Sequence, residues 1–268
     1  INRSYATIQN AQNSLSYLQG QDSSLATIGK ILDRMAELRT MAQVITKNSG
    51  DIENYSKEFI ELQSQLRQIK EEKFNGISLF SITSGTSASS KAQLSSTTSG
   101  VYVDASGASI SYTKFGRELI THPSGNTGNG SISLNVVNLQ FVLSLNTKVD
   151  VNLGGIGHTN TDITTTGVGD DFFITKIRSV SVSAFINAIE KLADARAENG
   201  AEQNRIMNSI NLLQTNVTNL EAAHGRIMDA DIALESTRFA RYNVLVQASA
   251  AMTAQANQMT NIALSLLQ

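Results

Sequence analysis

The residues that could carry chemistry are few and scattered. His122, His158 and His224 are the only imidazoles. No two of them stand at metal-ligand spacing, and no His-Glu-x-x-His helix is present. His158 lies among Gly and Thr and reads as a loop residue, whereas His224 falls on a helical seam and reads as packed. Asp170-Asp171 offers paired carboxylates that could suit Ca²⁺, but a single pair reads as a solvated turn. Gly154-Gly155-Ile156-Gly157 looks glycine-rich. However, Asn160 stands where a dinucleotide fingerprint needs its third glycine, and no P-loop lysine follows, so the run predicts a turn. No serine sits in a Gly-x-Ser-x-Gly elbow. With no cysteine in the chain, a thiolate metal site, a cysteine nucleophile and a disulfide are excluded. The expectation is a chain with no catalytic residue, no cofactor and no metal.

The rest of the composition narrows the class further. A length of 268 residues allows one large domain or two to three small ones. A net charge of −2 and a pI near 6.0 argue against a nucleic-acid partner, which normally meets a basic face. They also remove simple attraction to an anionic membrane. A single proline, Pro123, fits long unbroken helices. Residues 242–268 contain no charged side chain. Gln247, Gln255, Asn257, Gln258 and Asn261 interrupt any apolar run there, so no membrane span is expected. No secretory signal pattern is visible over the first residues.

The elements follow from periodicity. Ile8, Ala11, Leu15, Leu18, Leu25, Ile28, Ile31, Met35, Leu38, Ala42 and Ile45 recur mostly at steps of three or four. That spacing predicts one long amphipathic helix, with a single gap at Asp22. Asn48-Ser49-Gly50-Asp51 reads as a stop and a restart, with Asp51 as the N-cap. Ile52, Tyr55, Phe59, Leu62, Leu66 and Ile69 carry the second helix to a tight turn at Asn75-Gly76. Near the other end, Phe185, Leu192, Ile206, Leu213, Leu220 and Ile227 fall seven or fourteen apart, and Ile189, Ile210 and Val217 fill the other seam position. This is a sustained heptad pattern, interrupted by Arg196, Asn199 and Gln203, polar residues that can fix register. The same register continues through Leu245, Ala248, Met252, Met259, Ile262 and Leu266. Asp231, Arg238 and Arg241 break it between the two stretches and suggest a hinge.

Between the helical ends the chain is rich in Ser, Thr and Gly. Val101–Val103, Ser131–Val136 and Val149–Val151 alternate like strands, and Ser81–Gly100 reads as an exposed low-complexity loop. The predicted fold is mainly α with a β-rich insertion. Long antiparallel coiled-coil helices from both ends lie side by side, and a β-containing middle projects as a separate lobe. The expected divisions are 1–76, 77–180, 181–228 and 229–268.

Particular residues suggest a family. Gly200-Ala201-Glu202-Gln203-Asn204-Arg205-Ile206 and Arg226-Ile227-Met228-Asp229-Ala230-Asp231 resemble motifs of bacterial flagellins. So do Gln255-Ala256-Asn257-Gln258 and the closing Leu264-Ser265-Leu266-Leu267-Gln268. Leu32–Leu38 and Phe74-Asn75-Gly76 are similar to the family near its front. The resemblance covers about residues 5–76 and 181–268, while the middle matches no family pattern.

The resemblance implies a structural subunit of the flagellar filament that serves motility. Such a subunit is held by a chaperone on its C-terminal segment, exported unfolded through the flagellar type III channel, and folded outside the cell. It implies other flagellin subunits, the filament cap and the junction proteins as partners. Leu245, Ala248, Met252, Met259, Ile262 and Leu266 would form the assembly or chaperone interface. It also implies a further N-terminal helical segment that pairs with the tail and is missing from this sequence. Some flagellins meet the flagellin-sensing Toll-like receptor through an Arg, a Glu and a Leu on the first long helix. Arg34, Glu37 and Leu38 stand at matching positions. A hook–filament junction protein shares similar termini and is one alternative. Another is a cell-surface flagellin homologue that binds a polysaccharide or other ligand through its middle. For that reading, Tyr102, Tyr112, Phe115, Phe172 and Phe173 are the aromatic residues that could cluster. An enzyme carried in the middle has no acid–base or metal constellation behind it.

Overall fold

The computed structural model describes residues 1–82, 96–104, 106–145, 151–156 and 173–266. Gly157, His158, Asp170-Asp171, Phe172 and most of the Val149–Val151 segment lie outside the described residues. The helices are α1 (Asn2–Met41), α2 (Ser49–Lys70), α3 (Leu139–Val142) and α4 (Val182–Leu266). The strands are β1 (Lys73–Phe74), β2 (Ile77–Ser78), β3 (Phe80–Ser81), β4 (Ser96–Val103), β5 (Ser109–Ile120) and β6 (Ser131–Asn138). The described chain divides into two units, one of Asn2–Leu213 and one of Gln214–Gln268 with Ile1.

In the first unit the 3.6-residue pattern of α1 becomes the core. Leu18, Leu25, Ile28, Leu32, Met35 and Leu38 are fully buried, and each such side chain contributes about 1.5–3 kcal/mol. The helix stops at Met41, earlier than the apolar series suggested, and Ile45 is 98% exposed. The run Val44-Ile45-Thr46 is β-branched throughout and favours helix poorly. The carbonyl of Ala42, left without a helical partner, accepts instead from Arg178 Nε at 3.1 Å.

The start of α2 also differs from expectation, because the N-cap is Asn48 rather than Asp51. Asn48 Oδ1 accepts from the Asp51 N–H at 2.8 Å, and the Asp51 carboxylate accepts from the Asn48 N–H at 3.4 Å. This reciprocal box satisfies two donors that a helix end otherwise leaves open. Asn48→Ala should therefore lower unfolding stability by about 1 kcal/mol, read as a shifted urea midpoint with an unchanged slope.

At the end of α2, Asn75 (φ 51°) and Gly76 (φ 78°) make the two-residue turn that joins β1 to β2. Two consecutive positive φ angles are what a right-twisted hairpin requires. The main sheet has the order β3-β6-β5-β4, with β3 parallel to β6 and the other pairs antiparallel. The expected loop at Ser81–Gly100 is thus partly strand. Ser81 is buried at the end of β3, and residues 96–100 begin β4, their backbones paired with β5 from Gly116 to Tyr112. Ser and Thr suit a strand whose partner supplies the ladder, which compositional reading does not register.

α1 and the first part of α4 run antiparallel. Asn199 Nδ2 donates to Leu18 O at 3.1 Å, Arg196 pairs with Asp22 at 2.9 Å, and Arg39 Nε reaches Val180 O at 2.6 Å. Gly29 lies against Leu192, where an added Cβ would stand 3.3 Å from Cδ2. The gap at Asp22 and the polar breaks of the heptad seam therefore meet each other. Phe59 of α2 adds an edge-to-face contact with Phe185, centroids 6.1 Å apart.

The sheet does not stand apart from the helices, as a separate lobe would. Buried Gln21 donates from Nε2 to Leu79 O at 2.7 Å and to Asn135 O at 3.2 Å, and accepts from Asn199 Nδ2 at 2.7 Å. Glu202 of α4 accepts the Asn135 N–H at 2.9 and 3.1 Å, and Glu198 accepts from the Asn135 side chain at 2.8 Å. β3 pairs with β6 only at Val137 and Asn138, so side chains from both helices complete the β6 edge one step earlier. Lys191, also buried, donates to Phe141 O, Ser144 O and Ser144 Oγ at 3.2, 2.7 and 2.6 Å. Farther along, Gln63 of α2 bonds both backbone groups of Ile174, and Arg67 donates to Gly154 O at 3.1 Å. Gly154 (φ 89°) and Gly155 (φ 57°) form the turn expected there, and a Cβ on Gly154 would stand 3.2 Å from Gln63 O.

Burial pushes the Glu202 carboxyl up to about 7 from its ordinary 4.5, against the pull of the Asn135 N–H, with the Glu198 charge adding to the rise. The folded chain then keeps a proton that the unfolded chain has lost between these values. Stability contributed by this group is present below 4.5 and falls as pH rises through about 7. Glu202→Gln keeps an oxygen for the Asn135 N–H and removes the titration. The expected result is a loss of about 2 kcal/mol of pH dependence between pH 5 and pH 8 in urea melts. Equal slopes for parent and variant would refute it.

Candidate assembly surface

In the second unit the backbone stays helical from Gln214 to Leu266. It runs unbroken through Asp231, Arg238 and Arg241, where the sequence suggested a hinge. Burial along the seam holds for Ile210, Leu213 and Val217, then ceases: Leu220 and Ile227 are exposed. His224, expected to pack, is exposed as well.

The predicted interface residues all lie on this helix. Leu245, Met252, Met259, Ile262 and Leu266 are between 53% and 82% exposed, and Ala248 is exposed beside them. They form one stripe at steps of three, four or seven. The periodic reading missed a second set: Phe239, Tyr242 and Val246 stand three and four apart on another side, while Val244 stands five turns from Ile262 and Leu264 five turns from Val246, so they extend the two sides in turn. All five are more than half exposed. The signal was available, since Val244-Leu245-Val246 are consecutive and three successive residues point to three sides of a helix.

The hydroxyl residues do little to hydrate this surface. Ser249, Thr253, Thr260 and Ser265 each turn their hydroxyl back to a backbone carbonyl of the same helix at 2.7–3.0 Å. Their donors are used internally, so what faces outward is more apolar than the composition suggests. An apolar surface much wider than the roughly 100° stripe of an ordinary surface helix belongs in an interior or a membrane. Among the described residues, no helix is long and apolar enough to cross a membrane.

The other predicted positions are placed as follows. Arg34 and Glu37 are on the surface of α1, and Arg34 bonds Glu37 at 2.7 Å and Glu58 at 2.7 and 3.2 Å. Hydrogen bonds to Glu58 and Glu37 raise the Arg34 guanidinium further above its ordinary value. Leu38 has no exposed surface, so it offers nothing for a partner to touch. Tyr102 and Tyr112 do cluster, on Phe141, with centroids 5.8 and 3.6 Å apart. Phe115 is buried, and Phe173 lies under the Arg67 guanidinium at 4.4 Å. Among the described residues no group of three His, Asp or Glu side chains could hold a metal ion.

The comparisons with known proteins fall on the same helix. A family model for the bacterial flagellin C-terminal helical region matches residues 182–267. Polar flagellin C of Vibrio parahaemolyticus serotype O3:K6 (strain RIMD 2210633) is 32% identical over 158 residues, 56% of this chain and 41% of that protein. The chain thus spans less than half the length of that curated relative. The flagellin-type protein YvzB of Bacillus subtilis (strain 168) is 36% identical over 121 residues, 45% of this chain and 74% of its own length. Among solved structures, the crystal structure of Bacillus cereus flagellin aligns with 81% of this chain and 94% of that one, at 22% identity and a TM-score of 0.47. The helix that carries the unpartnered apolar surface is the segment the family model describes, and most of YvzB is matched at more than a third identity; the chain belongs to the flagellins, a family of structural proteins and not of enzymes.

Proposed function

We propose that this chain is a structural subunit of the bacterial flagellar filament and assembles through the α4 segment from Gln214 to Leu266. One observation carries the reading: this segment exposes large apolar side chains over roughly two thirds of its circumference at about 100° per residue, and it carries no charge from Tyr242 onward. A single partner helix would cover one stripe, worth about 1.5–3 kcal/mol for each Leu, Ile or Met buried. Covering the remaining faces takes several neighbours at once, as the interior of a closed tube of identical subunits provides. Heterologous contacts repeated around a helical axis generate such a filament. Residues 229–268 are then the inner-tube helix.

The rest of the reading follows from the exposed tail. A surface of this kind must be covered before assembly, which is the task of an export chaperone on the C-terminal segment. Passage through the flagellar type III channel and assembly at the tip beside cap and junction proteins complete it, with the finished location outside the cell. Where a flagellin-sensing Toll-like receptor meets this subunit, Arg34 and Glu37 make the contact, and Leu38 acts only by holding α1 in place.

The test is sedimentation in ammonium sulfate followed by electron microscopy. It is run on the chain alone and on the chain with the N-terminal helical segment of a Bacillus subtilis flagellin joined ahead of Ile1. Filaments in either form support the reading. A protein that stays monomeric in both forms at every salt concentration overturns it.

A further inference from the structure

A cleft of about 410 Å³ opens between the tip of the β4–β5 hairpin and the first turns of α4, lined among others by Tyr102, Asp104, Ser106, Ser144, Ser183 and Asn187. The filament reading makes no use of it. We propose that this cleft binds a neutral saccharide unit, with the Tyr102 ring as its apolar wall and Asp104, Asn187 and Ser183 as partners for hydroxyl groups.

The groups that would meet the ligand are already fixed. Asp104 Oδ1 accepts from Ser106 N, Ser106 Oγ and Ala108 N at 2.9, 2.6 and 2.8 Å, which holds the carboxylate rigid. Its other oxygen has no partner among the described residues. The Ser106 hydroxyl and the turn N–H groups also keep this carboxyl below its ordinary value, so it is an ionised acceptor at working pH. Tyr102 is held edge-on to Phe141 at 5.8 Å, and its hydroxyl reaches Glu190 at 3.4 Å. The Ser183 hydroxyl leans on Ser181 Oγ at 2.9 Å, while Ser181 caps the Ala184 N–H at 3.2 Å. The Asn187 amide has no side-chain partner among the described residues and can both donate and accept. Groups fixed before the ligand arrives lose little freedom on binding.

The chemistry of the lining selects the ligand class. Lys191 is the cation of the cleft, but its three N–H bonds go to Phe141 O, Ser144 O and Ser144 Oγ. No donor remains there for a phosphate or carboxylate, and Asp104 repels both. No carboxylate cluster able to hold a metal ion stands among the described residues. What remains is an acceptor-only carboxylate, a two-way amide, a hydroxyl and an aromatic wall. Vicinal hydroxyl groups on a ring with apolar C–H faces answer all four. The volume is also within the roughly 300–1,000 Å³ of small-molecule sites.

The experiment is an NMR titration of the ¹⁵N-labelled full chain with D-glucose, D-galactose and N-acetylglucosamine, with ethylene glycol as the control. At least one sugar should give saturable shifts at Ser106, Ala108, Ser183 and Asn187, with Kd of roughly 1–10 mM. Ethylene glycol should shift them only in proportion to its concentration. Asn187→Ala, on an accessible helix face, should weaken binding at least tenfold without changing the circular dichroism, and Tyr102→Ala should do the same. No saturable shift with any of the three sugars overturns the proposal, as do shifts that survive both variants. The filament reading is unaffected by either outcome, since it rests on a different unit of the chain.

Discussion

Met252→Glu is expected to abolish filament formation while leaving the soluble subunit's thermal melt unchanged. Met252 is 72% exposed, so the folded subunit loses no packing when it is replaced. Met and Glu also have similar helix propensities, so α4 itself should persist. Assembly is a different matter. Once neighbours surround the tail, a carboxylate at this position is removed from water with no cation nearby, because residues 242–268 carry none. An unpaired charge in such a place costs about 3–5 kcal/mol. That raises the critical concentration by roughly two to four orders of magnitude.

The conservative partner of this variant sharpens the test. Met252→Leu conserves volume and polarity and should shift the critical concentration less than about tenfold. Both variants are read by sedimentation across a concentration series, alongside circular dichroism melts of the soluble form. A glutamate variant that assembles at the parent's concentration would mean that this face stays in water. The inner-tube placement of the tail would then be wrong, even if filaments form. Val246, which stands about 120° round the helix from Met252 at about 100° per residue and is 66% exposed, offers the complementary probe: if several faces are covered at once, Val246→Glu should fail as completely as Met252→Glu.

Much of this architecture is written in local patterns. The steps of three and four from Leu18 to Leu38 and the heptads from Phe185 to Leu213 became core almost residue for residue, because a helix enforces that geometry wherever it forms. Asn75-Gly76 announced its turn, since few other residue pairs accept two positive φ angles. The contacts that attach the sheet left no such trace. Gln21 and Leu79 O lie 58 residues apart, and Asn135 and Glu202 lie 67 apart. No periodicity links partners at such distances. The first part of β4, residues 96–100, was hidden for a related reason, as Ser and Thr in a strand and in a loop look alike until a neighbour supplies the ladder. On the tail, the single stripe was legible and the remaining faces were passed over. A heptad reading looks for one seam, whereas the apolar surface of this helix is several stripes wide.

The last large effect concerns the polar layer between α1 and α4. Gln21→Leu should destabilise the chain by about 3 kcal/mol, although leucine fills nearly the same space and Gln21 is fully buried. The loss arises from what is left behind. Leu79 O, Asn135 O and one donor of the Asn199 amide would remain buried with fewer partners. Asn199 would keep its bond to Leu18 O, and Gln203 would still reach Asn199 Oδ1 at 2.5 Å. Removing Asn199 as well should therefore cost less than the sum of the single changes. We expect a coupling of about 1–2 kcal/mol in a double-mutant cycle of Gln21→Leu and Asn199→Leu, read by urea melts with constant slope. Strict additivity would show that the two amides do not act as a unit. The coupling bears on how the helices find each other. Sliding α4 by one heptad would bring Leu192 or Ile206 opposite Gln21, and the apolar seam alone would accept either. Only the observed register pairs Gln21 with Asn199 and Asp22 with Arg196. The polar breaks that weaken the heptads in the sequence thus select one alignment of the two helices, and through Gln21 and Glu202 that alignment carries the sheet with it.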